Sequence, residues 1–197
     1  MSGGYVIVEY NELKQTFPKF QSLLKAARDD LIANAEDAWK PLKFGGMTPK
    51  SGQFGESTIM PELFQDISGN TMDTWHQWFN ATGHQTIMRG AAAGGRIYED
   101  YKVALVGLAF LDKAIRVSEI RMQVSDRKLP RVNIEEAMAY EKPAVIFEDY
   151  FILDEETGFD LYAYVLSQGP QRIKIIGTQV NRIPNKMQTT NVGAALT

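Results

Sequence analysis

The chain has no cysteine and only two histidines, His76 and His84. Without cysteine there is no disulfide, no thiol nucleophile and no thiolate-bound zinc. Two histidines eight residues apart match neither the i, i+4 pair of a zinc-protease helix nor the spacing of a facial-triad iron site. There is no G-x-S-x-G elbow for a nucleophilic serine and no phosphate loop ending in G-K-[ST]. Long hydrophobic runs are missing too. The longest, Val103 to Leu111, is less than half of the ~20 residues that a membrane-crossing helix needs. The first ten residues show no basic stretch followed by an apolar one, so no signal peptide is expected. No metal, no cofactor and no enzymatic activity is expected from these absences.

What is present is ordinary globular material. The 197 residues are 44% hydrophobic and 23% charged, which suits one domain with a sizeable core. Net charge is −3, so the chain as a whole has no general attraction for nucleic acid. The charge is unevenly spread. After Asp160 there is no further carboxylate side chain, while Arg172, Lys174, Arg182 and Lys186 follow. These four are the candidate nucleic-acid-facing residues; a solvated strand face is the plainer alternative.

The hydrophobic period changes along the chain. Tyr5 to Glu9 is a short β-prone run. Phe20, Leu23, Leu24, Ala27, Leu31 and Ala35 recur at spacings of three and four, which predicts an amphipathic helix. Pro18 suits its first turn, Thr16 its cap, and Pro41 its stop. Phe44 to Ser57 is rich in glycine, proline and serine and is expected to be a loop. Pro61 to Ile67 and Thr71 to Asn80 are expected to be two short helices, the second carrying Trp75, Trp78 and Phe79 as one aromatic stripe. With Trp39 these are candidate subunit-interface residues, since large aromatics anchor both cores and interfaces.

From Gly90 to Gly95, flanked by Arg89 and Arg96, the chain is expected to hinge from a helical to an extended part; a phosphate cradle of backbone amides is the alternative use of that run. Beyond it, Tyr101 to Leu111 is a nearly continuous apolar strand, expected to be buried on both faces. Ala114 to Ser125 alternates, but Ile115 and Val117 keep one phase and Ile120, Met122 and Val124 the other, which predicts a β-bulge near Ser118–Glu119. Asp126 to Pro130 is a turn, and Glu135 to Tyr140 a helical turn or a loop. Ala144 to Leu153, Phe159 to Leu166 and Gln171 to Ile183 are strands, with turns at Asp154–Gly158 and Ser167–Pro170. The carboxylates Glu148, Asp149, Asp154, Glu155, Glu156 and Asp160 do not match a calcium loop and are expected to be solvated turn residues. Tyr150, Tyr162 and Tyr164 are the aromatics that a sugar-binding face would use.

Strands that recur every dozen residues with turns between them indicate an antiparallel sandwich or barrel. The expected fold is mainly β with a helical N-terminal segment, an antiparallel β-sandwich of jelly-roll type. Its expected parts are a helical segment over 1–84, the sandwich over 85–183 and a polar arm over 184–197.

The successive strands KVALVGLAFL, AIRVSEIRMQV, AVIFEDYFIL, FDLYAYVL and RIKIIGTQVNRI, with the arm NKMQTTNVGAALT, resemble the single jelly-roll coat protein of a tailless icosahedral virus. The resemblance covers about half of the chain, is architectural and carries no site residue. It implies a capsid subunit that assembles with copies of itself, made in the host cytoplasm and located in the virion. Other virion proteins and packaged nucleic acid are its implied partners, the latter through non-specific contact. A phage-type tail-tube or connector protein, and a non-catalytic carbohydrate-binding module, are the alternative readings.

Overall fold

The apolar run Tyr101–Phe110 forms a strand that is buried along nearly its whole length, and the other elements are layered around it. The computed structural model describes residues 4–13, 18–39 and 54–182. In chain order the elements are strand β1 (Tyr5–Glu9), helix α1 (Pro18–Ala38), β2 (Phe54–Thr58), β3 (Phe64–Gln65), β4 (His76–Phe79), β5 (Gly83–Gly90), β6 (Tyr101–Phe110), β7 (Val117–Val124), β8 (Arg127–Lys128), β9 (Val132–Asn133), β10 (Pro143–Leu153), β11 (Phe159–Val165) and β12 (Gly169–Arg182). Short 3-10 turns lie at Tyr10–Glu12, Pro61–Leu63 and Glu135–Ala139.

Two antiparallel sheets pack face to face. The first runs β1-β10-β6-β12-β2, with β4 also on β12; the second runs β3-β5-β11-β7-β8, with β9 on β7. The pairings follow a nested pattern. Strand β2 pairs β12, β5 pairs β11, β6 pairs β10, and β7 pairs β8 and β9. The ribbon of paired strands then closes on itself through β12 with β6 and β11 with β7. One long antiparallel ribbon wrapped into two sheets is a jelly roll. Only five of its strands stand out in the sequence. The others are short or polar: Phe54–Thr58 is FGEST, and β8 and β9 have two residues each.

The inner faces of the two sheets form the main core, with Phe64, Phe79, Phe110 and Phe159 among its largest fully buried side chains. The rings of Phe64 and Phe159 meet edge to face at 5.4 Å. A second apolar cluster lies on the other side of the first sheet. There Phe20, Ala27, Leu31, Ala35 and Trp39 cover Ala104, Val106, Ala109, Ala144, Ile146, Ile176 and Val180. Three of the sheet residues are alanines, so the helix settles close to the strands. Arg28 of α1 ion-pairs with Glu56 of β2, and Tyr150 donates to the Asp30 carboxylate. The buried Lys102 ammonium is held by Asn34 at 2.8 Å and Asp154 at 2.6 Å.

Strand β6 serves both clusters because its facing slips once. Val103 and Leu105, then Leu108 and Phe110, point into the sandwich, while Ala104, Val106 and Ala109 point to the helix. The register passes over Val106 against both neighbours: Leu105 and Gly107 pair with consecutive Gly177 and Ile176 of β12, while on β10 the same step spans Ile146 to Phe151. The bulge expected in β7 is present. Tyr164 pairs Glu119 and Val165 pairs Val117, which leaves Ser118 as the extra residue.

Several expectations are corrected. Besides α1, the described part of residues 1–84 has 3-10 turns at Tyr10–Glu12 and Pro61–Leu63 but is otherwise extended or irregular, and β1 to β4 belong to the two sheets. Thr71–Asn80 forms no helix; His76–Phe79 is a strand paired with Gly169–Arg172. Its threonines, aromatics and asparagine are weak helix formers, and a free sheet edge is available. Pro61–Ile67 is a 3-10 turn followed by β3. Of the loop Phe44–Ser57, Phe54–Ser57 are strand, and the rest lies outside the described residues. So do Thr16, Pro41 and the arm over 184–197. Gly90–Gly95 is no hinge between a helical and a β part but the connection from β5 to β6.

Leu31 is fully buried between α1 and the first sheet. Leu31→Ala should lower stability by about 2–5 kcal/mol, measured by urea unfolding with circular dichroism; a change under about 0.5 kcal/mol would mean that the helix is not docked there.

Candidate functional site

The cations expected to face nucleic acid lie on β12, where alternate residues share a face. Arg172, Lys174 and Arg182 occur in it with local partners already in place. The Arg172 guanidinium meets Asp112 at 2.7 Å, and its backbone amide donates to the same carboxylate at 2.5 Å. Arg182 pairs with Asp100 and lies 5.9 Å from the centre of the Trp39 ring. Lys174 lies 6.0 Å from the centre of the Tyr10 ring. Lys186 is outside the described residues. A basic strand in sequence is thus a row of locally paired cations in space.

The four interface candidates separate. Trp39 and Phe79 are fully buried. Trp39 closes the helix against the sheet, with the Lys102 ammonium 5.8 Å from its ring centre, and Phe79 belongs to the sandwich core. Trp75 packs half-buried against Phe64, ring centres 6.1 Å apart. Trp78 is 55% exposed. Strand alternation explains the split, since Gln77 and Phe79 point in while His76 and Trp78 point out. Trp78 stands opposite Pro170 on β12, and Met60, 41% exposed, lies in the connection after β2. Strands β2 and β4 both pair with β12 and together form one margin of the first sheet.

The Gly90–Gly95 run is wound into a tight turn in which Gly94 and Gly95 take φ values of +76° and +73°. Several of its amides already have carbonyl partners: Ala91 donates to Leu63 at 2.9 Å, Ala92 to Arg96 at 2.8 Å, and Gly95, with the flanking Arg96, to Ala92 at 3.1 and 3.3 Å. The acidic residues disperse. Asp154 holds Lys102, Glu155 accepts from the Asp100 amide and Asp160 pairs with Arg89. Among the described residues no group of three or more histidine, aspartate or glutamate side chains is placed to hold a metal ion, and no helix is long and apolar enough to cross a membrane.

The tyrosines part company as well. Tyr150 sits in the bulge of β10 and reaches back to α1, far from any sugar face shared with the others. Tyr162 and Tyr164 do share one face of β11, the outer side of the second sheet. Cross-strand pairing builds rows around them. Thr86, Tyr162 and Arg121 form one row; His84, Tyr164, Glu119 and Asn133 form the next. His84 meets Tyr164 edge to face at 5.0 Å. A groove of about 330 Å³ runs over this lattice, lined among others by His84, Thr86, Arg121, Lys128, Arg131 and Tyr162. Sequence reasoning missed its cations. The signal was present in the alternation of Glu119, Arg121 and Gln123 on β7, but Lys128 comes from the two-residue strand β8 and Arg131 from the approach to β9.

No family model, no curated protein and no solved structure matches the chain.

The phenol of Tyr150 is pushed up to about 12, first by its hydrogen bond to Asp30, then by burial and by the charges of Asp30 and Asp149. The folded state then holds this proton above pH 10, where the unfolded chain releases it. The stabilising contribution is complete below about pH 10 and is lost as pH rises through about 12. Tyr150→Phe should flatten the alkaline decline of the melting temperature over that interval; an unchanged decline would show that Tyr150 does not titrate in contact with Asp30.

Proposed function

We propose that this chain is a coat-type structural subunit that assembles with copies of itself, a capsid protein of a tailless icosahedral virus. The observation that carries this reading is the margin of the first sheet at β2 and β4. Unpaired strand margins invite pairing with another chain and are normally blunted by charge, proline or a covering element. Here, among the described residues, the margin carries the exposed Trp78 opposite Pro170, and the exposed Met60 lies further along it in the connection after β2. Tryptophan is the residue type most enriched at the energetic centre of interfaces. The jelly-roll wrap supports the reading at the level of fold, since this architecture recurs in viral coats and also in lectins. Nucleic-acid contact through β12 is not part of the proposal, because Arg172 and Arg182 are already ion-paired.

Light scattering on a sizing column followed by negative-stain microscopy tests the proposal. Trimers, pentamers, hexamers or closed shells support it. Open rings or tubes move the assignment to a tail or connector protein, and a monomer at high concentration refutes both. Trp78→Glu should shift the assembly toward smaller species by at least about tenfold in apparent dissociation constant. Its circular dichroism spectrum should match the parent, because that side chain is 55% exposed.

A further inference from the structure

The outer face of the second sheet has a groove that self-assembly at the opposite sheet leaves unused. Its floor is the central row of the lattice, Thr86, Tyr162 and Arg121. Three cations line it, Arg121, Lys128 and Arg131, against one carboxylate, Glu119. Arg131 is committed to Glu119 at 3.3 Å. Among the described residues Arg121 is bonded through its Nε alone, which donates to the Leu129 carbonyl at 3.1 Å, and its two terminal nitrogens have no partner there. Lys128 is exposed and makes no ion pair among the described residues. Among the described residues, two cations without an ion-pair partner therefore face a half-buried tyrosine ring, with the Thr86 hydroxyl beside it, while the neighbouring Gln85 amide is committed to the Ala81 carbonyl.

The geometry points to a binding site for an acidic saccharide unit. A carboxylate on the sugar meets Arg121 and Lys128 in charge-assisted hydrogen bonds. The less polar face of the ring lies on Tyr162, as amphipathic aromatics allow, and ring hydroxyls reach Thr86. The volume is at the lower end of small-molecule sites, ~300–1,000 Å³, which fits one sugar unit better than an extended polymer. A bare inorganic anion would leave the tyrosine face unused, and a neutral sugar would leave both cations without a partner. This inference does not depend on the assembly proposal: the groove belongs to the second sheet, and Trp78 to the margin of the first.

The full chain, in whatever oligomeric state it adopts, is titrated separately with glucuronate, glucose and inorganic phosphate by calorimetry or ligand-observed NMR. Glucuronate should saturate, with glucose and phosphate each at least about tenfold weaker. Arg121→Gln combined with Lys128→Gln should weaken glucuronate at least about tenfold and bring it level with glucose, and Tyr162→Ala should weaken glucuronate and glucose alike. Lys128→Gln alone changes an exposed side chain and keeps the test valid should the double variant not fold. No saturation by glucuronate up to about 10 mM, phosphate binding as tightly as glucuronate, or unchanged binding in the lysine variant would each overturn the inference. Assembly measured by light scattering on the same variants should not change, which separates failure here from failure of the coat proposal.

Discussion

Burial of β6 on both faces is the constraint on which the other parts rest. A strand with apolar side chains on both sides cannot lie on the surface of a two-layer sandwich. One face is satisfied by the second sheet. The other needs a third layer, and α1 supplies it with Phe20, Leu31 and Trp39. The helix in turn fixes what can happen along the first sheet. Lys102, on β6, is buried beneath it and is acceptable there only because Asn34 and Asp154 hold its charge. The bulge in β10 carries Tyr150 out to Asp30. The bulge at Val106 lets one strand serve two apolar clusters of different phase.

The layering also decides which surfaces are free for function. The helix side of the first sheet is occupied, and the cations of β12 find partners there. Among the described residues, the margin at β2 and β4 and the outer face of the second sheet lie open. The two differ in chemistry. The margin offers an exposed indole on a strand that, among the described residues, pairs on one side alone. The outer face offers tyrosines, a histidine and cations, of which Arg121 and Lys128 have no ion pair among the described residues. Neither requires the other.

Much of the sandwich was legible in the sequence wherever a strand was long and apolar. The double burial of β6 followed from the apolar run Val103 to Leu111, while the burial of Lys102 beside it did not. The bulge at Ser118 followed from a one-residue slip in alternation, because side chains on a strand repeat every two residues and a slip must be absorbed somewhere. The turn at Asp154–Gly158 followed from its composition, but it makes no hairpin: it crosses from β10 in the first sheet to β11 in the second. The short strands were not legible. Two residues such as Arg127–Lys128 have no measurable period, and FGEST carries a glycine and a glutamate. His76–Phe79 was mistaken for helix because Trp75, Trp78 and Phe79 fall at helical spacings by coincidence. The groove was half legible: Tyr162 and Tyr164 on one face followed from the period, while the arrival of Lys128 and Arg131 over them did not.

By itself, then, the sequence determined the class of fold, the long strands, the amphipathic helix and the exclusion of cysteine chemistry. These are local properties, set by composition and by periods of two and 3.6 that a chain carries wherever it folds. Tertiary structure alone decided which residues meet. It chose Trp78 rather than Trp39 or Phe79 as the exposed aromatic, because pairing with Gly169–Arg172 fixed the facing of β4. It neutralised Arg172 and Arg182 with carboxylates at Asp112 and Asp100, far away in the chain. It gathered His84, Arg121, Lys128 and Tyr162 from four strands into one groove. Such meetings depend on strand order and register, which are set by long-range pairing and so leave no mark in any short stretch of residues.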